Sequence, residues 1–339
     1  MFRKLSIIGI GFAAIVLGVS VAPAIPTKQH DYRTVPPMQV PADNRLTAER
    51  VALGKALFFD PRLSGSKWIS CASCHNPALG WSDGLPTAVG NGMKKLKRAT
   101  PTIVNVAFAT ILMWDGREGT LESQALGPMK NSDEMDLDPK EVARRLAAIP
   151  GYQSMFARAY PGEQITPEVI GKAIASFERT VVSTDSPFDR WQAGDNDAVS
   201  AAAKRGFEVF RGKGKCETCH EGYNFTDNGF HNIGVKTPDG LPQDEGRFAQ
   251  RKVKSMRGAF KTPTLRNIAL TAPYMHNGGY QTLEEVVEHY DRGGDVTDNL
   301  DPNMEGPLNL TAGEKADLVA FMQSLTGRPF NIAIPRLPQ

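Results

Sequence analysis

All four cysteines of this 339-residue chain lie in two copies of one pattern, Cys-x-x-Cys-His. The copies span residues 71–75 and 216–220. Cys-x-x-Cys-His is the attachment signature of c-type haem, in which both thiols bond to the haem vinyl groups and the histidine ligates the iron. The residues predicted to hold two haems are Cys71, Cys74, His75, Cys216, Cys219 and His220.

Three other kinds of site use paired cysteines, and the sequence disfavours each of them. A zinc site built from two such pairs usually places them about 15 to 20 residues apart, whereas these copies begin 145 residues apart. A thioredoxin-type redox motif needs a βαβ context and has no use for a histidine in both copies. A disulfide within each copy would be strained, because so few residues intervene.

The N-terminal residues predict export from the cytoplasm. Arg3 and Lys4 precede an uncharged run of 17 residues at 5–21, and Ala22-Pro23-Ala24 resembles the cleavage site of a secretory signal peptide. An uncleaved membrane anchor is the alternative, because the run is only just shorter than a membrane span. Either way we expect the body of the protein in the periplasm. The net charge of +2 gives no basic excess, so no nucleic-acid partner is expected.

A second duplication recurs at a constant offset of 162 residues. Residues 100–122 and 262–284 align without a gap and are identical at ten of 23 positions. Shorter echoes precede each haem motif, at Gly54-x-x-Leu57-Phe58 and Gly206-x-x-Val209-Phe210. The chain is therefore predicted to contain two homologous haem domains in tandem.

Helix signals dominate both halves. Helices are predicted over 46–58 and 201–210, from Thr166-Pro167 onwards, and after capping boxes that begin at Thr282 and Thr311. No stretch shows strand alternation, and 32 Gly with 24 Pro favour a loop-rich fold. We predict an all-α, loop-rich fold of two tandem cytochrome c-like haem domains. The predicted segments are a signal peptide at 1–24, an N-terminal extension at 25–45, and haem domains at 46–185 and 186–339.

The repeat predicts that the two irons differ at the sixth coordination position. Extending its register pairs Pro128 with Tyr290, so the first half has no donor side chain where the second half can offer a phenolate. The ordinary interpretation of Tyr290 is core packing near the end of an amphipathic helix. The alternative ligands of the second iron are Met275, Met304, His276 and His289.

Three more residues in the first half are candidate functional residues, and each could instead have a purely structural role. Trp114 pairs with His276 in the repeat, and its ordinary role is a core tryptophan. Gln124 and Glu134 are of residue types that usually lie on solvated surface.

Ordered motifs in both halves carry a family resemblance. They are the two haem motifs, Trp114-Asp115-Gly116-Arg117, Gln124-x-x-Gly127-Pro128, Thr262-Pro263-Thr264-Leu265-Arg266-Asn267 and Tyr290-Asp291-Arg292-Gly293-Gly294. In these residues the chain resembles the bacterial di-haem cytochrome c peroxidases and their MauG relatives. The resemblance extends from about Leu46 to the C-terminus, and it does not depend on the haem motifs alone.

The resemblance implies that the two haems have different roles. The N-terminal haem, ligated by His75, would be the peroxide site, and the C-terminal haem, ligated by His220, would relay or store oxidising equivalents. Trp114 would lie between the haems. Gln124 and Glu134 would lie over the peroxide-binding face, where Glu134 moves a proton between the peroxide oxygens. With Pro128 these are the candidate catalytic residues.

Two positions depart from the usual peroxidase pattern and match the MauG-like branch. Asn91 stands where most members place a displaceable distal histidine, and no histidine occurs between His75 and His220. Tyr290 stands where those members have a methionine ligand and MauG-like members have a tyrosine. An anionic phenolate favours the oxidised iron and lowers its reduction potential. The first haem is therefore expected to be open, and the second suited to hold an oxidising equivalent.

The family often holds a calcium ion between its domains, with an asparagine side chain and two backbone carbonyls as ligands. Thr271 and Pro273 match the carbonyl donors, but Ala99 stands at the asparagine position. Calcium takes about six to eight oxygen ligands, some of which water can supply. A calcium ion at Thr271 and Pro273 is therefore left open.

Three functions compete at this point. The first is a MauG-like oxidoreductase, which uses hydrogen peroxide to form a high-valent di-haem state and oxidises a partner protein at tryptophan. The second is a peroxidase that reduces hydrogen peroxide to water with electrons from a small periplasmic cytochrome or cupredoxin. The third is a non-catalytic electron carrier, which would need two six-coordinate haems.

Overall fold

A computed structural model describes residues 30–238, 242–304 and 306–339 of the chain. The predicted signal peptide at 1–24 lies outside these residues, so export stays a prediction. No helix in the described ranges has both the length and the apolar character to cross a membrane.

The described residues form mainly helices and loops, as expected for an all-α fold. The helices before residue 200 are α1 (Ala48–Phe58), α2 (Cys71–Cys74), α3 (Leu121–Gln124), α4 (Gly127–Lys130), α5 (Pro139–Ala147), α6 (Pro150–Ala159), α7 (Pro167–Glu178) and α8 (Pro187–Gln192). Those after it are α9 (Ala201–Arg211), α10 (Phe248–Arg251), α11 (Leu283–Arg292) and α12 (Ala312–Ser324). Strands β1 (Phe230–His231) and β2 (Phe260–Lys261) pair antiparallel. The predicted capping boxes are present at Thr282 and Thr311.

A close helix crossing explains the glycine echo ahead of each haem motif. A Cβ atom on Gly54 of α1 would lie 1.8 Å from the carbonyl oxygen of Ala173 in α7, and one on Gly206 of α9 would lie 1.9 Å from that of Asp317 in α12. Only glycine lets the two backbones approach this closely. The helix that leads into each haem motif is thereby fixed against a second long helix.

Replacing Gly206 by alanine should destabilise the protein by about 1–3 kcal/mol, the usual range for overpacking a tight contact. The added methyl group meets the backbone of Asp317, which cannot rotate away. Urea unfolding of the haem-loaded protein measures the change. Gly313→Ala is the control, since a Cβ there meets nothing closer than 3.9 Å. Equal stability of the two variants would contradict the crossing.

The two larger of the three apolar clusters in the described ranges contain these crossings. The first gathers buried residues between Leu53 and Val181, and the second gathers residues between Phe188 and Leu325. Residues near both ends of the described chain cross from one half to the other. Tyr32 packs in the second core, and Phe330 packs against the first. Residues 31–339 form one compact unit. The domain boundary at 185/186 therefore stays a prediction.

The duplicated segments 100–122 and 262–284 share features of local structure. Asn105 and Asn267 are left-handed, with φ of 58° and 61°. The side-chain oxygen of Asn105 accepts a hydrogen bond from the backbone N–H of Ser183 at 2.7 Å, and that of Asn267 accepts one from Gly327 at 3.1 Å. Asparagine tolerates this conformation better than other side chains do. The two asparagines thus bind equivalent loops to the segments that follow α7 and α12, respectively.

Candidate haem sites

The histidines of the two motifs are oriented as metal ligands. Nδ1 of His75 lies 3.2 Å from the carbonyl oxygen of Trp81, and Nδ1 of His220 lies 2.9 Å from that of Phe225. A carbonyl oxygen can only accept, so Nδ1 carries the proton and Nε2 is left to bind a metal. Burial lowers the pKa of His75, and it lowers the pKa of His220 to about 4. Both rings are therefore neutral, as ligation requires.

The surroundings of the motifs fit a haem group. A cavity is lined by Cys216, Cys219 and His220 and continues between the two halves. The side-chain N–H groups of Asn105, which lines this cavity, and of Trp81, whose carbonyl oxygen lies against His75, are buried and have no hydrogen-bond partner among the described residues. Unpartnered buried donors are costly, and haem propionates are acceptors that such donors can use. The four cysteines are free thiols, as haem attachment needs.

Tyr290 lies in the wall of this same cavity, on α11. Burial raises the pKa of its hydroxyl, and the nearby sulfurs of Cys216 and Cys219 raise it further. No described residue hydrogen-bonds this hydroxyl, so the oxygen is available to an iron held by the second motif. An iron held by the second motif would displace the phenolic proton in spite of the raised pKa, because a bound cation reverses the local electrostatics.

Of the alternative ligands for the second iron, His289 is already hydrogen-bonded at both ring nitrogens, and the other three line the cavity. His289 is engaged at both ring nitrogens, by the hydroxyl of Tyr280 and by the carbonyl oxygen of Ile233, each at 2.8 Å. It therefore has no free nitrogen. Met275, His276 and Met304 line the cavity together with Tyr290 and stay open as alternatives.

Gln124 and Glu134, the polar candidates of the first half, both interact with residues of the turn 113–117. The side-chain amide of Gln124 donates to the Met113 sulfur at 3.6 Å, next to Trp114. Glu134 accepts a hydrogen bond from Asn131 at 3.0 Å. Burial raises the pKa of Glu134, and Arg117 of the Trp114 turn partly opposes the shift. A carboxyl group with a raised pKa in this environment is suited to exchange protons.

Asn91 and Pro128 lie on either side of the segment that carries Glu134. The backbone N–H of Asn91 donates to the carbonyl oxygen of Glu134 at 2.9 Å, and the side chain of Asn91 donates to Asp136. The carbonyl oxygen of Pro128, in α4, accepts from the N–H of Met135 at 3.1 Å. The Asn91 loop therefore lies against the Glu134 segment, and its side chain is committed to a carboxylate.

Trp114 and its repeat partner His276 meet where the two halves contact each other. Their rings are 6.5 Å apart and nearly perpendicular, and His276 stacks on Phe260 at 3.6 Å. The indole N–H of Trp114 donates to the carbonyl oxygen of Ala99 at 2.9 Å. Trp114 lines the cavity that contains His220 and Tyr290. It is therefore a neighbour of the second motif although it belongs to the first half.

The candidate calcium residues Thr271 and Pro273 also line this cavity. Ala99 has no side-chain oxygen, and its carbonyl oxygen accepts the hydrogen bond of Trp114. Calcium at this place stays a prediction.

Sequence reasoning missed a charged cluster beside the second motif. His231 lies between two carboxylates, with Nδ1 2.6 Å from Asp301 and Nε2 2.9 Å from Asp227. Lys261 of β2 lines the same cavity. No spacing rule indicates the whole set, because Lys261 and Asp301 lie far along the chain from Asp227 and His231 and only the fold brings them together.

Comparison with known proteins agrees with this geometry. The sequence profile of the di-haem cytochrome c peroxidase family matches residues 48–197. The methylamine utilization protein MauG of Methylorubrum extorquens is 48% identical over 299 residues, which cover 88% of this chain and 84% of that protein. The cytochrome c551 peroxidase of Pseudomonas aeruginosa is 38% identical over 299 residues, covering 86% and 83%.

A solved structure shows the same fold. The crystal structure of a MauG-like protein associated with microbial copper homeostasis superposes with a TM-score of 0.81 at 34% identity, covering 90% of this chain and 96% of that one. The family and these relatives are haem-dependent enzymes, which argues against the non-catalytic electron carrier. The chain belongs to the di-haem cytochrome c peroxidase family and is a haem-dependent oxidoreductase with two haems.

Proposed function

We propose that this protein uses hydrogen peroxide at an open N-terminal haem to oxidise a partner protein at tryptophan, with the second haem closed by Tyr290. The observation that carries the proposal is the position of Tyr290 in the cavity wall with Cys216, Cys219 and His220. The 48% identity to a MauG protein supports the same conclusion. The thiols of both motifs would attach the haems covalently, and the protein would work in the periplasm.

Bound haem would supply the iron that accepts peroxide and the capacity to hold oxidising equivalents. The chain supplies the proton chemistry around it. Glu134, with its pKa raised by burial, takes a proton from peroxide and returns it to the departing oxygen. Gln124 offers a side-chain N–H in the same region, and Pro128 leaves space without a competing ligand.

Replacing Trp114 by phenylalanine should separate peroxide chemistry from partner oxidation. Phenylalanine keeps the ring packing against His276 but is much harder to oxidise than tryptophan. We expect the reaction of the first haem with peroxide to continue and partner oxidation to fall by at least about tenfold, roughly 1.4 kcal/mol. Stopped-flow spectroscopy follows the first step and mass spectrometry of the partner follows the second. Unchanged partner oxidation would contradict the role of Trp114.

The second candidate function is a peroxidase that reduces peroxide to water with electrons from a small cytochrome or cupredoxin. The 38% identity to a cytochrome c551 peroxidase favours it. Steady-state assays with a reduced small cytochrome decide between the two. Fast turnover that improves in Tyr290→Met would establish the peroxidase. A long-lived oxidised state, together with a mass shift on a protein encoded nearby, would establish the proposed function.

A further inference from the structure

Two half-buried basic side chains of the second half, His231 and Lys261, line the cavity and have different partners. His231 is held between Asp227 and Asp301, and both carboxylates accept hydrogen bonds from its ring. The hydrogen bond with Asp227 foremost, and then those with Cys219 and Asp301, raise the pKa of His231 to about 11. A positive charge on His231 is therefore balanced by neighbouring carboxylates.

Lys261 has no such balance. Its ammonium group donates to the carbonyl oxygen of Thr262 at 3.1 Å, and it forms no ion pair with any carboxylate in the described ranges. Burial lowers the pKa of Lys261 to about 8, although Asp227 acts from a distance to raise it. A buried ammonium without an anion is unstable relative to one that is paired. An anion inside the cavity would therefore stabilise the ammonium group of Lys261.

The repeat shows that this cation belongs to the second haem site alone. Position 261 corresponds to Ala99 in the first copy, so the first half has no equivalent charge. Other contacts are conserved between the copies: Thr226 donates to the carbonyl oxygen of Thr262 at 2.7 Å, as Ser82 does to that of Thr100 at 3.2 Å. The lysine is therefore an addition to an otherwise shared frame.

We propose that Lys261 binds a propionate carboxylate of the second haem and holds that edge of the haem beside Trp114. A propionate supplies the missing anion, and the ammonium group supplies up to three donors. The backbone N–H of Lys261 donates to the carbonyl oxygen of Trp114 at 2.8 Å, which ties the two residues together. Lys261 is a positioning residue, and its role rests on the proposed placement of the second haem.

The test is the reduction potential of each haem, measured by spectroelectrochemistry of the haem-loaded protein without peroxide. In Lys261→Met the second haem loses a nearby positive charge, which favours its ferric form. At a fixed electrode potential its ferric-to-ferrous ratio should rise at least about tenfold, a shift of roughly 59 mV for one electron. The first haem should keep its potential, and Lys261→Arg should stay close to wild type because it keeps the charge.

Lys213→Met is the matched control, since it removes an exposed lysine that pairs with Glu314 in the same half. It should leave both potentials unchanged. An unaltered second potential in Lys261→Met, or an equal shift of both haems, would overturn the inference. If Lys261→Met fails to bind haem, a crystal structure of the wild-type holoprotein decides: a propionate oxygen within about 4 Å of the ammonium nitrogen supports the contact, and a greater separation rejects it. Because no peroxide is used, failure of partner oxidation would not affect this result.

Discussion

Glu134→Gln should slow the reaction with hydrogen peroxide by about 10²–10⁴-fold, the usual contribution of a positioned general acid–base group. Glutamine keeps the size of the side chain and can still pair with Asn131, but it cannot take up a proton. Rapid mixing of the ferric protein with peroxide gives the second-order rate constant directly. The two haems should stay bound, because Glu134 is not part of either attachment motif.

The pH dependence sharpens this prediction. Burial raises the pKa of Glu134, and only the ionised form can accept a proton. The rate constant of the wild type should therefore rise with pH through that raised pKa, and the rate constant of Glu134→Gln should not follow it. Asp133→Asn is the control, since Asp133 is exposed and pairs with Lys94. A similar loss in both variants would mean that charge near the surface, and not proton transfer, governs the reaction.

Tyr290→Phe should remove the sixth ligand of the second haem while leaving the ring packing of α11 in place. We expect a changed optical and EPR spectrum for that haem and loss of the long-lived oxidised state. Partner oxidation should fall at least about a hundredfold, roughly 2.7 kcal/mol, because the second haem no longer has an anionic ligand that favours oxidised iron. The first reaction with peroxide should persist, since Tyr290 lies in the other half.

Tyr280→Phe is the matched control for that experiment. Its hydroxyl bonds His289 and Asp295, outside the haem cavity, so its loss should leave the spectrum of the second haem unaltered. If Tyr290→Phe also retained the wild-type spectrum, the ligand would be one of the sulfur or nitrogen donors of the same cavity wall. Met275, Met304 and His276 are the residues to replace next.

Local patterns predicted much of the architecture. The capping residues set the starts of α11 and α12, because side-chain hydrogen bonds to the first helical N–H groups act within three residues. The helix predicted from residue 46 begins at Ala48, where Thr47 supplies the cap. The helix predicted after Thr311 spans Ala312–Ser324. Helix ends are less certain than helix existence, because the terminal hydrogen bonds compete with turns.

Contacts between distant segments could not be predicted in this way. The residues just after the predicted domain boundary at 185/186 form α8, whose Phe188 is a buried part of the second core. Asp301 and Lys261 are distant in sequence from Asp227 and His231, and the fold brings them to the same cavity wall as His231. The repeat aligns Trp114 with His276 as equivalent positions, but it did not predict that their rings lie 6.5 Å apart in the fold.

The asymmetry between the two irons is the central claim, and EPR of the ferric holoprotein tests it most directly. The account predicts one high-spin signal from a five-coordinate first haem and one low-spin signal from a second haem bound by His220 and Tyr290. Carbon monoxide should then bind to a single haem after reduction. Two low-spin signals, with neither haem accessible to carbon monoxide, would contradict the account.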